Sequence, residues 1–337
     1  MRANQLMMSA LLLSWGANGQ PARTYVADTG ERTARGIPAM FETWGTLAPH
    51  WSNHWLVGVQ DNYSASPLIY LIDKSGNRDQ FPFPLADAAV VYVHGLAVSA
   101  NGTVAIAGAA VSGDSKAGSF LALVAPDRKE QAIVRTWPYV AWEVTFIPDG
   151  SLWTVGYTFH DTEDRIVKPN VLAHFDGGGK LLQSIPIVAK SRFGPRDSGA
   201  LSNSFLRASG DRMGWFTNGS EYIEFSFTGE EIGRYDGPGA FDPDEVVRGS
   251  FAMSSSNEVL YGTIENASVR PNSAPVAPQR RTWSLDRQKR RWVPTEFSDE
   301  SLPGWGSLLG FDGDTLVTTG AVHEMRRYVP ANQTKAQ

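Results

Sequence analysis

Cysteine is absent from this chain of 337 residues. That excludes disulfides, thiolate metal sites, a cysteine nucleophile and a lipidated-cysteine anchor. Basic clusters are also scarce: the charged fraction is 19% and the net charge −5. The Lys/Arg stripe that displaces counterions from nucleic-acid phosphates is therefore missing. The one basic run, Arg287 to Arg291 (RQKRR), reads as a solvated turn, with a docking patch for an acidic partner as the alternative. No apolar run reaches the ~20 residues needed to span a bilayer. No apolar stripe of helical period extends past two turns, so helices are not expected. Gly-x-Ser-x-Gly, phosphate-loop and dinucleotide-binding patterns are all lacking.

What is present is a recurring phrase: an apolar strand, a tight polar turn usually containing Gly, and a second apolar strand. It reads GLAVSANGTVAIAG from Gly95 to Gly108 and EVTFIPDGSLWTVG from Glu143 to Gly156. Weaker copies begin at Gly45, Ser204, Gly249 and Gly306, giving spacings of 50, 48, 61, 45 and 57 residues. Repeats of ~40–50 residues with four strands each are the mark of propeller blades. Further turn signals at Lys74–Gly76, Pro126–Asp127, Asp176–Gly179 and Thr228–Gly229 complete the hairpins. Segments such as Thr103 to Ala110 are apolar throughout, as expected of strands covered on both faces.

The expected fold is therefore all-β, a six-bladed β-propeller of four-stranded antiparallel blades in one domain over residues 20–331. After Glu324 to Val329 only a polar tail, residues 332–337, remains, and it is expected to be disordered. The last copy thus lacks a strand, which the stretch Thr24 to Met40 is expected to supply, so that no sheet edge stays open. Residues 1–19 read as a secretory signal: Arg2 is the n-region, Leu6 to Trp15 the apolar core, and Ala17 and Gly19 the small residues before cleavage at Gln20. A periplasmic or secreted monomer is the expectation.

The phrase Ile147 to Thr154 (IPDGSLWT) resembles the blade core of NHL-like and gluconolactonase-like six-bladed propellers. That likeness is at the level of the fold, which does not determine function.

Loops mark the working face. Connections between first and second strands are short, whereas Val111–Gly118, Phe159–Asn170, Asn266–Gln279, Ala189–Asn203 and Asp236–Arg248 read as long. Long loops commonly carry function. The residues just before the six anchors are Trp44, His94, Trp142, Asn203, Arg248 and Trp305. They predict an aromatic channel rim binding a small polar, saccharide or peptide ligand, with His94, Asn203 and Arg248 donating directional hydrogen bonds. The opposing reading is that the tryptophans wedge between blades, leaving a scaffold that holds a partner protein.

The resemblance to propeller lactonases implies a third possibility, one divalent cation at the rim held by oxygens from several blades. The positions to test are His94, Glu143 and Asn203, with Ca²⁺ or Mg²⁺ suited to oxygen ligands and Zn²⁺ favoured if His94 joins. His94 and Glu143 would then be catalytic in a metal-assisted hydrolase or lyase, and Arg248 would stabilise developing negative charge. The tryptophans at Trp44, Trp142 and Trp305 depart from that pattern. His50 and His54 have a zinc-helix spacing but no helix to hold them. The acidic stretch His160–Asp164 lacks the calcium-loop pattern, and Asp242–Glu245 offers a general base at the rim for which spacing places no partner acid.

Overall fold

The computed structural model describes residues 23–27, 47, 49–114, 116–159, 166–190, 204–217, 221–238, 246–266, 279–297, 307–319 and 325–331. These form twenty-five strands and no helix. In chain order, β1 is Arg23–Ala27. A first group holds β2 (His50–Ser52), β3 (Trp55–Gln60), β4 (Tyr63–Ser64), β5 (Leu68–Asp73) and β6 (Arg78–Pro82). The second holds β7 (Ala88–Val98), β8 (Val104–Ser112), β9 (Ala117–Val124) and β10 (Gln131–Arg135). The third holds β11 (Tyr139–Phe146), β12 (Leu152–Phe159), β13 (Ile166–Phe175) and β14 (Leu181–Pro186). The fourth holds β15 (Phe205–Ser209), β16 (Arg212–Thr217), β17 (Glu221–Ser226) and β18 (Glu231–Asp236). Then follow β19 (Val246–Met253), β20 (Val259–Asn266), β21 (Gln279–Asp286) and β22 (Arg291–Phe297), and finally β23 (Leu308–Asp312), β24 (Thr315–Thr319) and β25 (Met325–Pro330).

Each group is an antiparallel meander, and the sheets form a propeller-like ring. First strands stand side by side: β7 against β11, β11 against β15, β15 against β19, β19 against β23, and β23 against β2. Six separate sheets are not what forms, however. Four sheets are discrete, and the last two groups merge into one eight-stranded sheet of order β19-β20-β21-β22-β1-β25-β24-β23. The cause is β1, which pairs antiparallel with β25 (Val26 opposite Val329) and parallel with β22 (Thr24 opposite Glu296). A strand offers hydrogen-bonding groups on both edges, and here both are used.

The sequence chemistry explains the meanders. Gly102 and Gly150 sit at φ 88° and 85° in the turns between first and second strands, a conformation that costs side-chain-bearing residues. The apolar runs are covered on both faces: Val104 to Ala107 and Leu152 to Val155 are almost wholly buried. The core is accordingly divided into clusters between neighbouring groups, such as Ala97, Ala105, Leu121, Val144 and Phe146 between the second and third. Full burial of one such large apolar side chain contributes about 1.5–3 kcal/mol.

Inner strands are also stitched by polar groups. The Ser52 hydroxyl donates to the Val98 carbonyl at 3.1 Å and accepts from the Val98 N–H at 3.0 Å. Thr145 Oγ1 accepts from the Ala208 N–H at 3.1 Å, and Ser250 Oγ accepts from the Leu308 N–H at 3.2 Å. The glycine that opens the second repeat has a packing reason. A Cβ on Gly95 would lie 2.7 Å from the Trp142 carbonyl oxygen and 2.9 Å from the Glu143 Cα, so only glycine lets β7 approach β11 this closely.

Two loop expectations change. The Val111–Gly118 loop is half strand, because β8 runs to Ser112 and β9 starts at Ala117. The Arg287–Arg291 turn is not simply solvated. Arg287 donates to the buried Glu224 at 2.5 Å and Arg290 to the Arg234 carbonyl at 2.6 Å, tying the turn to the fourth sheet.

Candidate functional site

Two of the six aligned rim positions fall on matching irregularities. The pairing of β7 with β8 shifts between Val93 and Gly95, and that of β11 with β12 shifts between Ala141 and Glu143. His94 and Trp142 are the extra residues of these two bulges, and a bulge re-aims the side chain it carries. The rings of His94 and Trp142 stack with centroids 4.4 Å apart and planes 26° from parallel. Both keep part of their surface in solvent. His94 Nδ1–H donates to the Ala141 carbonyl at 3.3 Å, which points that nitrogen into the protein. Crowding around the imidazole pushes its pKa down to about 4, more than that hydrogen bond raises it, so the ring is neutral at pH 7.

Further rings continue from Trp142. Tyr157 lies 6.1 Å from Trp142, Phe159 packs edge-on at 5.2 Å from Tyr157, and Trp137 stacks on Phe159 at 5.4 Å. Tyr157 is buried, Phe159 is half-buried, and Trp137 is 44% exposed. The Phe159 N–H donates to the Pro138 carbonyl at 3.0 Å, fixing the end of β12 beside Trp137. On the other side of His94, Tyr92 of β7 meets Tyr63 at 4.5 Å, and Tyr63 is 66% exposed. The repeat alignment did not find Trp137, Tyr157, Phe159, Tyr63 or Tyr92. The available signal was period 2: Tyr157 and Phe159 follow one another on one side of β12, and Tyr92 and His94 on β7.

Tyr63 belongs to β4, which pairs with the free edge of β7 through Tyr63 opposite Tyr92 and Ser64 opposite Val91. Next to it the Asn62 carboxamide imitates a strand: its Nδ2 donates to the Val93 carbonyl at 2.8 Å, and its Oδ1 accepts from the Val93 N–H at 2.6 Å. The loop of the first sheet is thereby clamped to the residue before His94.

Glu143 follows Trp142 but turns away from solvent, 5% exposed. Its Oε2 accepts from Arg207 Nη1 of β15 at 3.2 Å. Burial pushes its pKa up to about 7, against the opposing pull of the Arg207 charge and hydrogen bond and of the Leu206 N–H. Burial in turn lowers the pKa of Arg207. Arg207, which the repeat pattern does not single out, is the cationic partner of Glu143. The backbone of Arg248 lies in β19 opposite Ile264. Trp44, Asn203 and Trp305 lie outside the described residues, as do His160–Asp164 and Asp242–Glu245.

Among the described residues no three His, Asp or Glu side chains gather as metal ligands. His50 is buried in β2, whereas His54 is exposed and meets Asp312 at 2.6 Å, so the two do not act as a pair. No helix among the described residues is long and apolar enough to cross a membrane.

No protein-family model matches the chain, and no curated protein matches it. Among solved structures it is similar to BBS1N in complex with ARL6DN, soaked with lead, at 10% identity and TM-score 0.43, covering 84% of this chain and 78% of that one. It is also similar to BamB from Moraxella catarrhalis at 12% identity and TM-score 0.38, covering 85% and 70%. A europium-containing methanol dehydrogenase aligns at 8% identity and TM-score 0.41, covering 80% and 66%. The functional reading therefore stands on this chain's own geometry.

Proposed function

We propose that this protein is an exported recognition module that binds a small polar, saccharide or peptide ligand at an aromatic rim on one face of the ring. The observation that carries this is the His94–Trp142 stack, partly open to solvent, on bulges of two adjacent inner strands. Bulges commonly serve to re-aim side chains at functional sites. Half-exposed flat rings beside neutral hydrogen-bonding groups are the usual lining of a ligand site. Trp44, Asn203, Arg248 and Trp305 are proposed to complete the rim.

In this reading the ring has six blades, the eight-stranded sheet being two blades zipped together by β1. The order of first strands from β2 round to β23, and the separate core clusters between neighbouring groups, support that count. Export is supported by the apolar segment before Gln20, and N-terminal sequencing of protein recovered from periplasm or medium checks it.

Titration of the purified protein with saccharide and peptide panels, followed by tryptophan fluorescence, tests the binding reading. A ligand that alters the fluorescence and loses about tenfold or more in affinity with Trp142→Ala supports it. Undiminished binding in that variant overturns it.

The second reading is a metal-assisted hydrolase or lyase using Glu143 and His94 with Asn203. The raised pKa of Glu143, suited to a general acid or base, favours it. Against it, Arg207 already engages Glu143 and the Nδ1 of His94 faces Ala141. Elemental analysis finding near one equivalent of a divalent cation, lost in Glu143→Gln, would move the assignment to the enzyme. A partner protein held at the blade sides is the remaining alternative, and pull-down that survives Trp142→Ala would indicate it.

A further inference from the structure

We infer that the ligand of the aromatic rim is an uncharged, extended oligosaccharide that covers at least two stacking platforms. The inference rests on the recognition reading above and narrows its ligand class.

The first ground is that the partly exposed rings come in separate pairs. His94 with Trp142 forms one platform and Phe159 with Trp137 another, at interplanar angles of 26° and 21°. Buried Tyr157 lies between them, 6.1 Å from Trp142 and 5.2 Å from Phe159, and holds their separation. The rings of each pair cover one another's inner faces, and pyranose rings stack through their C–H bonds on the outer ones. A single sugar occupies one platform, whereas a chain of sugars occupies both and gains by tethering the second contact to the first.

The second ground argues against a peptide strand. Extended peptides are recognised mainly by adding main-chain hydrogen bonds to a free sheet edge. At this rim the inner edge of β7 is already taken, by β4 at Val91 and Tyr92 and by the Asn62 carboxamide at Val93. The backbone edge beside His94 is therefore closed to an added strand.

The third ground concerns charge. Both platforms are built of uncharged rings at neutral pH, His94 included. On the adjacent inner strand β15, Arg207 is spent on Glu143. Nothing in the platforms selects an acidic sugar.

Calorimetric titration of the purified full chain tests this. The probes are neutral disaccharides and hexasaccharides of glucose, N-acetylglucosamine, mannose and xylose, an acidic heparin hexasaccharide, and tyrosine- and proline-containing hexapeptides. We expect at least one neutral hexasaccharide to bind about tenfold or more tighter than its disaccharide. Trp137→Ala and Trp142→Ala should each remove most of that length dependence, because either variant leaves one platform only. Thermal melts of the two variants report whether they fold. Equal affinity for short and long saccharides overturns the two-platform inference and leaves rim recognition intact. Preference for the acidic hexasaccharide or for the peptides likewise overturns it alone. Absence of binding by every probe overturns the inference and the recognition reading together.

Discussion

Two regions of this ring are rich in aromatic rings and use them in opposite ways. Around the fourth sheet and β19–β22, Phe216, Tyr222, Phe251 and Tyr261 are fully buried, with Phe216 stacked on Tyr261 at 4.0 Å and Trp292 edge-on at 5.5 Å. This cluster is sealed at one end by Glu224, which is 1% exposed and accepts hydrogen bonds from Arg212, Arg287 and Tyr222. On the second and third sheets, the series from His94 to Trp137 breaks the surface at both ends. The number of aromatic residues therefore says little about binding. Bulges and strand ends that lift rings out of the sheet separate the open series from the sealed one.

The largest expected effect lies in the sealed region. Glu224→Ala strands two arginines and a tyrosine around an emptied position, and should cost about 3–5 kcal/mol by denaturant titration. Phe216→Ala should cost about as much, roughly 3–5 kcal/mol, through transfer and cavity terms. Neither should alter ligand affinity, and a change there would erase the contrast between the two regions. Trp142→Ala should do the reverse: about half that stability loss, because the ring is only half-buried, with binding lost. Next in size is Gly95→Ala, whose methyl meets backbone atoms of β11 and should cost about 1–3 kcal/mol by thermal melt.

The smallest effect is a pH dependence in which two neighbours oppose one another. The folded-state pKa of Glu143 is raised to about 7, so between its unfolded value and 7 the native state holds more protons than the unfolded chain. Its contribution to stability therefore falls as pH rises through that window. His94 is lowered to about 4, so below its unfolded value the unfolded chain binds the extra proton, and its contribution rises with pH from about 4 to 6.5. Stability curves of Glu143→Gln should retain the rise, and those of His94→Gln should retain the fall. Two flat curves would show that neither pKa is shifted in the folded protein.

Much of this was legible beforehand. The strand–turn–strand phrase located β7/β8, β11/β12 and β15/β16, because glycines with positive φ and doubly buried apolar runs leave local marks. The alignment also singled out His94 and Trp142, which proved to be the bulged residues. What could not be read was whom each residue meets. Arg207 sits 64 positions from Glu143, and no local pattern joins them. Trp137 precedes its strand, outside the repeated phrase, and meets Phe159 only because β11 and β12 pair.

The sequence by itself determined an all-β chain of repeated antiparallel meanders, since backbone conformation and strand burial follow from residues a few positions apart. Only the tertiary structure decided that β1 would zip the last two groups into one sheet, that β4 would occupy the edge of β7, and that one aromatic set would be sealed and the other open. Those outcomes depend on long-range pairing, in which each edge and each face takes whatever partner the arrangement of sheets brings to it.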